Sequence, residues 1–168
     1  MTLTTGRLKL ADFSLITLAL FYLIMLGGGN YEQLNVTRLV TSAPPKSLYM
    51  LQGPYGFRPL LFWGIFRPIT ILLFIITLIA NWHRAHDRRV LLLIAFGVDM
   101  LTTIATYAYF APETGAIVNA PYDASTVDQS QLQRAQLWKN LNWVRLAGFY
   151  AGGLLLLFAL KRSPRENP

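Results

Sequence analysis

Four long apolar blocks constrain this chain more than anything else in it, and a soluble fold of its size has little use for them. The first, 13–26, runs into Gly27-Gly28-Gly29; the others lie at 60–82, 90–111 and 141–160. A helix needs roughly 20 mainly apolar residues to cross a bilayer. Hydrocarbon offers no partner to exposed backbone groups, so such blocks must be helical. The irregular segments between them must lie outside the lipid or under protein. The pattern predicts an all-α polytopic membrane protein. One domain over 1–168 forms a four-transmembrane-helix bundle, with spans at about 13–29, 60–82, 90–111 and 140–160 and two longer non-cytoplasmic loops. Composition agrees, because only 14% of residues are charged against about 25% in soluble domains.

The chain has no cysteine, which excludes disulfides, thiol redox chemistry and thiolate metal sites. Its net charge of +7 fits topology and anionic headgroups, so membrane lipid rather than nucleic acid is the expected partner. The first block starts with Arg7 and Lys9 but lacks a small-x-small cleavage site, and reads as a retained helix. With an even number of spans, Arg7 and Lys9, the turn 83-HRAHDRR-89, and Lys161, Arg162 and Arg165 share one side. The positive-inside rule makes that side, with both termini, cytoplasmic.

The opposite side carries connections at about 30–59 and 112–136. The first holds 43-APPKS-47 and 53-GPYGFRP-59, which suggest fixed turns and a short interfacial helix. Tyr31, Tyr49, Tyr55, Phe57 and Trp63 suit an aromatic belt. The end of the second, 126-TVDQSQLQRAQLWKNLNW-143, reads as a helix capped by Thr126 or Asp128 and leading into the fourth span.

Charge at membrane depth faces a partner or a wet cavity. Arg67 precedes Pro68 in the second span, where a helix starting near residue 60 would be kinked. Asp99 lies roughly 14 Å into the third span and Arg145 roughly 23 Å from the cytoplasmic end of the fourth. Glu32 and Tyr31 stand at the outer end of the first. Counting depth pairs Arg67 with Asp99, and Arg145 with Glu32 or, alternatively, Glu113. A polar cluster is expected in the outer half of the bundle, with Asn140, Asn142, Tyr107 and Thr103 nearby. Two readings stay open: these groups fasten helices together, or they line a ligand cavity. Gly148 and Gly152 give a Gly-x-x-x-Gly spacing for close approach within the bundle or to a second copy.

Other motifs carry less. His83 and His86 form His-x-x-His, but Arg84, Arg88 and Arg89 crowd them and repel a cation, so no metal site is expected. The stretch 35-NVT-37 fits a glycosylation acceptor.

Taken in order, 27-GGGNYEQL-34, the proline loop with 44-PPKSL-48, the Arg/Pro-bearing second span, 99-DMLTTIATYAYFAP-112 and 138-WKNLNWVRL-146 resemble the anthrone-oxygenase-like family of small four-helix membrane proteins. The resemblance spans nearly the whole chain and rests on Glu32, Tyr109, Phe110, Pro112, Trp138, Asn142 and Arg145. Fungal members often carry a histidine near the fourth-span motif; this chain has none there. The resemblance implies oxidation of an anthrone to an anthraquinone by dioxygen, without metal or flavin, and so an oxidase acting on a lipophilic aromatic or quinone-like molecule. Such a site needs an apolar slot, a base, and positive charge beside the developing oxyanion. Glu32 or Asp99 would be the base, and Arg145 or Arg67 the anion stabiliser. Tyr31, Tyr107, Trp138, Asn142 and Trp143 would complete the ligand site. Two further classes compete. One is a non-catalytic subunit of a larger membrane complex, or a lipid- or quinone-binding protein. The other is a small transporter, which four spans without repeats equip poorly unless the chain forms a homo-oligomer.

Overall fold

The computed structural model describes residues 2–83, 85–123 and 125–162, and the side chains of 2–9, 59 and 60 lie outside that description. Arg84, Arg165 and the side chains of Arg7 and Lys9, all used in the charge argument, therefore fall outside the described residues. Four long helices follow one another: α1 (Thr2–Tyr31), α2 (Pro59–Asn81), α3 (His86–Ala105) and α4 (Gln129–Lys161). All four are long and apolar enough to cross a membrane, and the chain is a multi-pass membrane protein. In the bundle, α1 packs against α2 and α4, and α4 packs extensively against α3. The contact between α2 and α3 is the slightest around the ring.

Two helices outrun their predicted ends. The chain does not leave the helix at Asn30. It passes through a π-helical turn, Glu32–Thr37, and continues as Arg38–Val40. Likewise α3 continues through a π-helical turn, Thr106–Phe110, into Ala111–Val118. The polar run 32-EQLN-35 reads as an exit from lipid, yet Gln33 is buried and its Nε2 donates to the Lys139 carbonyl of α4 at 2.9 Å. Helix α4 thus satisfies polar groups that water would otherwise have to serve. Pro112 falls in the first turn of its segment, where a missing N–H is tolerated.

Helix lengths then differ by design. The 23 residues of α2 extend roughly 35 Å, close to a hydrocarbon core with its margins. The 33 residues of 86–118 and the 33 of α4 reach roughly 50 Å. The excess projects at the end where the two long connections lie. There a second apolar core forms from Val36, Val40, Leu48, Phe110, Ile117, Ala135 and Trp138. Leu48 comes from a 3₁₀ helix, Lys46–Leu51, which is the short helix expected in the first connection. The Asp128 amide donates to the Pro44 carbonyl at 3.0 Å, fastening one connection to the other.

The main core centres on Leu15, Leu18, Tyr22, Met25, Phe74, Leu92 and Leu156. Toward the termini, polar side chains cross between helices. Thr77 Oγ1 donates to the Ser14 carbonyl at 3.1 Å, and Asn81 Nδ2 to the Ala11 carbonyl at 3.2 Å. Arg88 pairs with Asp12 at 2.7 Å. The Gly-x-x-x-Gly spacing is consumed inside the bundle. A methyl added at Gly148 would meet Thr102 Cγ2 at 2.7 Å, and one at Gly152 would meet Tyr22 Cζ at 3.0 Å with its hydroxyl closer still. Tyr22 is 1% exposed and has nowhere to retreat. Gly152→Ala is therefore expected to destabilise the bundle by about 1–3 kcal/mol. A lowered thermal midpoint in detergent would register this. Gly97→Ala, where nothing lies within 4 Å, serves as the tolerated control.

Asp128 caps α4, its side chain accepting from the Ser130 and Gln131 amides. The Ser130 side chain, then those amides, hold its carboxyl below the usual carboxylate range. The lowered value means the cap is fully present above about pH 4 and is lost as pH falls through the folded value. Hydrogen exchange should show the Ser130 and Gln131 amides losing protection across that acid range. Asp128→Ala should remove the pH dependence along with the protection.

Candidate functional site

Two separate polar arrangements replace the single cluster expected from depth counting. The first is a buried ion pair. Arg67 Nη1 donates to Asp99 Oδ1 at 2.8 Å, and Nη2 donates to the Asp99 carbonyl at 2.8 Å and to Thr103 Oγ1. Asp99 is 0% exposed and Arg67 7%. The guanidinium also lies 5.3 Å from the Phe149 ring centroid. This pair joins α2 to α3, the two neighbours that otherwise touch least, and Thr103 joins it as expected. Asp99 is thus paired with Arg67 through Oδ1, while its Oδ2 has no hydrogen-bond partner among the described residues.

The second arrangement surrounds Glu32, and differs from expectation. Glu32 and Arg145 are not directly paired; the Glu32 carboxylate instead accepts from Trp63 Nε1 at 2.5 Å. Arg145 Nη1 donates to Thr106 Oγ1 at 3.3 Å, and its guanidinium sits 4.5 Å from the Phe110 ring centroid. Glu113, the alternative partner, is held by Arg134 through bonds of 2.6 and 2.8 Å. Depth counting places residues along a helix axis but not around it: Glu32 faces Trp63 of α2, while Arg145 faces Thr106 and Phe110 on the continuation of α3.

Glu32 and Arg145 nevertheless face one space. A cavity of about 10 Å³ is lined by Gly29, Glu32, Trp63, Asn142, Arg145, Leu146 and Phe149. That volume suits one water and no aromatic ring. Asn142 is fixed there by donating from Nδ2 to Gln33 Oε1 at 2.6 Å. On the far side of Glu32 and Trp63 lies a much larger space. A groove of about 440 Å³, open to the outside of the bundle, is lined by Gly27, Gly28, Tyr31, Glu32, Phe57, Phe62 and Trp63. Local sequence explains its shape. The glycine run 27–29 presents no side chains, so the Phe62 ring approaches to where a Gly28 methyl would be 2.6 Å away. The groove opens where α2 begins while α1 continues upward.

The remaining candidates divide by exposure. Tyr31 lines the groove. Tyr107 is 66% exposed and Trp143 43% exposed, and neither borders the groove or the interior cavity. Trp138 is buried in the second apolar core, with Phe110. Sequence reading gave no role to Gln33, Thr106 or Phe149, and placed Trp63 only in an interfacial belt. For Gln33 the signal was present: a polar residue beside Glu32, on a segment flanked by apolar positions. Its omission followed from ending the helix at residue 29.

The comparisons with known proteins found no matching family model, no matching curated protein and no matching solved structure.

Proposed function

We propose that the protein binds a lipophilic, weakly acidic aromatic molecule, anthrone- or quinol-like, in the groove between α1 and the start of α2, and that Glu32 accepts a proton from it. The observation that carries this reading is the position of Glu32. A single carboxylate forms part of an apolar groove large enough for a fused-ring molecule, and its other side borders polar groups inside the bundle. Carboxylates placed in apolar surroundings within reach of a substrate are suited to general-base work. Phe57, Phe62, Tyr31 and Trp63 supply flat surfaces for stacking. The groove opens laterally, so a substrate dissolved in lipid enters without crossing water.

Such a site supports cofactor-independent oxidation, the activity that the resemblance to anthrone-oxygenase-like proteins suggests. Glu32 takes a proton from the activated methylene, and the resulting carbanion passes one electron to dioxygen. The two radicals combine to a peroxide anion, which takes the proton back from Glu32 to become a hydroperoxide and then eliminates water to leave the ketone. One methylene and one dioxygen become one carbonyl and one water. Asp99 takes no part in this scheme, because it lines neither the groove nor the cavity behind Glu32. Arg145 acts on the charge of Glu32 from behind rather than on the substrate. The loop-bearing end faces away from the cytoplasm, as the basic residues at the other end favour.

The test combines mass spectrometry of small molecules retained by the purified protein with turnover of anthrone in proteoliposomes. A bound aromatic and anthraquinone formation above the protein-free rate are expected. Co-purifying chains with neither ligand nor turnover would sink the reading in favour of an accessory subunit. Gly27 borders the groove and has nothing within 4 Å of an added Cβ. Gly27→Leu should therefore fill the groove, leave the thermal midpoint unchanged, and weaken binding of an anthrone probe on the order of tenfold, or about 1.4 kcal/mol.

A further inference from the structure

Two residues that line the cavity behind Glu32 each carry a buried hydrogen-bonding atom that the protein itself leaves unused. Asn142 is 6% exposed and spends Nδ2 on Gln33, while its Oδ1 has no protein partner. Arg145 spends Nη1 on Thr106, while its buried Nε has none. Both residues line a volume of about 10 Å³, and so does Glu32. Native interiors pair such groups with protein or with ordered water, and a site of this volume with two to four polar neighbours is what a buried water requires.

We propose that this cell binds one structural water that bridges Glu32, Arg145 and Asn142. The water accepts from the Arg145 guanidinium and donates to Asn142 Oδ1 and to the Glu32 carboxylate, so three of its four hydrogen-bonding positions are filled. The chemistry selects water over other small occupants. A metal cation is repelled by Arg145, and dioxygen, an apolar gas, offers no donor to Asn142 Oδ1. The link joins Glu32 to Arg145 through one molecule rather than by contact. Trp63 Nε1 holds the carboxylate directly, so water and indole together fix its orientation toward the groove. Arg145 and Asn142 are then positioning residues for Glu32. Their functional role rests on the reading of Glu32 as the site's base; the water itself does not.

An experimental structure of the ligand-free protein in lipid nanodiscs, at a resolution that reveals buried waters, tests the proposal. One density peak is expected within about 2.7–3.2 Å of Glu32, Asn142 Oδ1 and Arg145. Asn142→Leu should keep the fold and lose the peak. Gly29→Ala provides a second variant, because its methyl would stand 3.1 Å from Leu146 Cδ1 and 3.6 Å from Trp63 Cη2 and crowd the cell. Absence of a peak in the native protein, with Arg145 or Asn142 swung into direct contact with Glu32, would overturn the proposal. So would a peak that persists unchanged in Asn142→Leu. For the positioning role, Asn142→Leu should lower kcat for anthrone about tenfold and leave KM unchanged. A rise in KM at constant kcat would contradict it. If the peak is present but Glu32→Gln turns over like the native protein, the water stands and the base assignment alone falls.

Discussion

Arg67→Leu is expected to be the most destabilising single substitution in the bundle, lowering stability by about 3–5 kcal/mol. Its removal leaves the Asp99 carboxylate, 0% exposed, in the interior without a counter-charge. The same change removes the donor to the Asp99 carbonyl and to Thr103. It also dissolves the buried ion pair between α2 and α3, the neighbouring helices that pack least against each other. Asp99→Leu should act in the same direction by stranding the guanidinium. The double replacement Arg67→Leu with Asp99→Leu should recover most of the loss, because neither position then carries a buried, unpaired charge. Thermal or denaturant unfolding in a fixed detergent separates these cases. Single variants as stable as the native protein would show that the pair holds nothing together.

Glu32→Gln is expected to have the opposite profile, with little change in stability and a loss of anthrone turnover of about 10²–10⁴-fold. The amide oxygen still accepts from Trp63 Nε1, so the wall between groove and interior keeps its shape, but the side chain no longer takes a proton. Binding of the probe should persist, since Phe57, Phe62 and Tyr31 are untouched. The rate of anthraquinone formation in proteoliposomes, measured beside probe affinity, checks both halves. Native turnover in the variant would remove Glu32 from the chemistry. Together the two predictions divide the intramembrane charges into a fastener and a working group, which is the division left open by their mere presence in apolar spans.

The fold was legible because lipid imposes one rule on every backbone group, and four apolar blocks leave few ways to obey it. The Arg67–Asp99 pair was legible too, since each residue lies on an uninterrupted α-helical segment, Pro59–Asn81 and His86–Ala105, where depth scales with residue number. The Glu32 neighbourhood was not, for a local reason. Polar residues 32–35 resemble a helix end when no partner is known. Only the packing of α4 across them, with Gln33 reaching the Lys139 carbonyl, keeps the chain helical to Val40. Glu32, at the junction of α1 with that continuation, faces Trp63 rather than Arg145, a rotation about the helix axis that depth along it leaves undetermined. Tyr107 and Trp143 were chosen for residue type, but which way an aromatic residue faces depends on helix rotation, which the spacing of Tyr107 and Trp143 left undetermined. The groove had no sequence signature. It arises from Gly27 and Gly28 and from the short reach of α2 beside α1, features that mean little until the neighbouring helices stand beside them.

The short reach of α2 ties the groove to the thickness of the surrounding bilayer. Its first turns, with Phe62 and Trp63, mark the groove's mouth, while α1, α3 and α4 continue past that level. If the groove binds the lipophilic molecule proposed above, a thick, sterol-rich membrane would hold the mouth within the acyl chains and admit only molecules already dissolved there. A membrane a few ångströms thinner would bring it among the headgroups, where it would meet amphiphiles at the water boundary. Lipid composition would then filter what reaches Glu32, without any moving part in the protein.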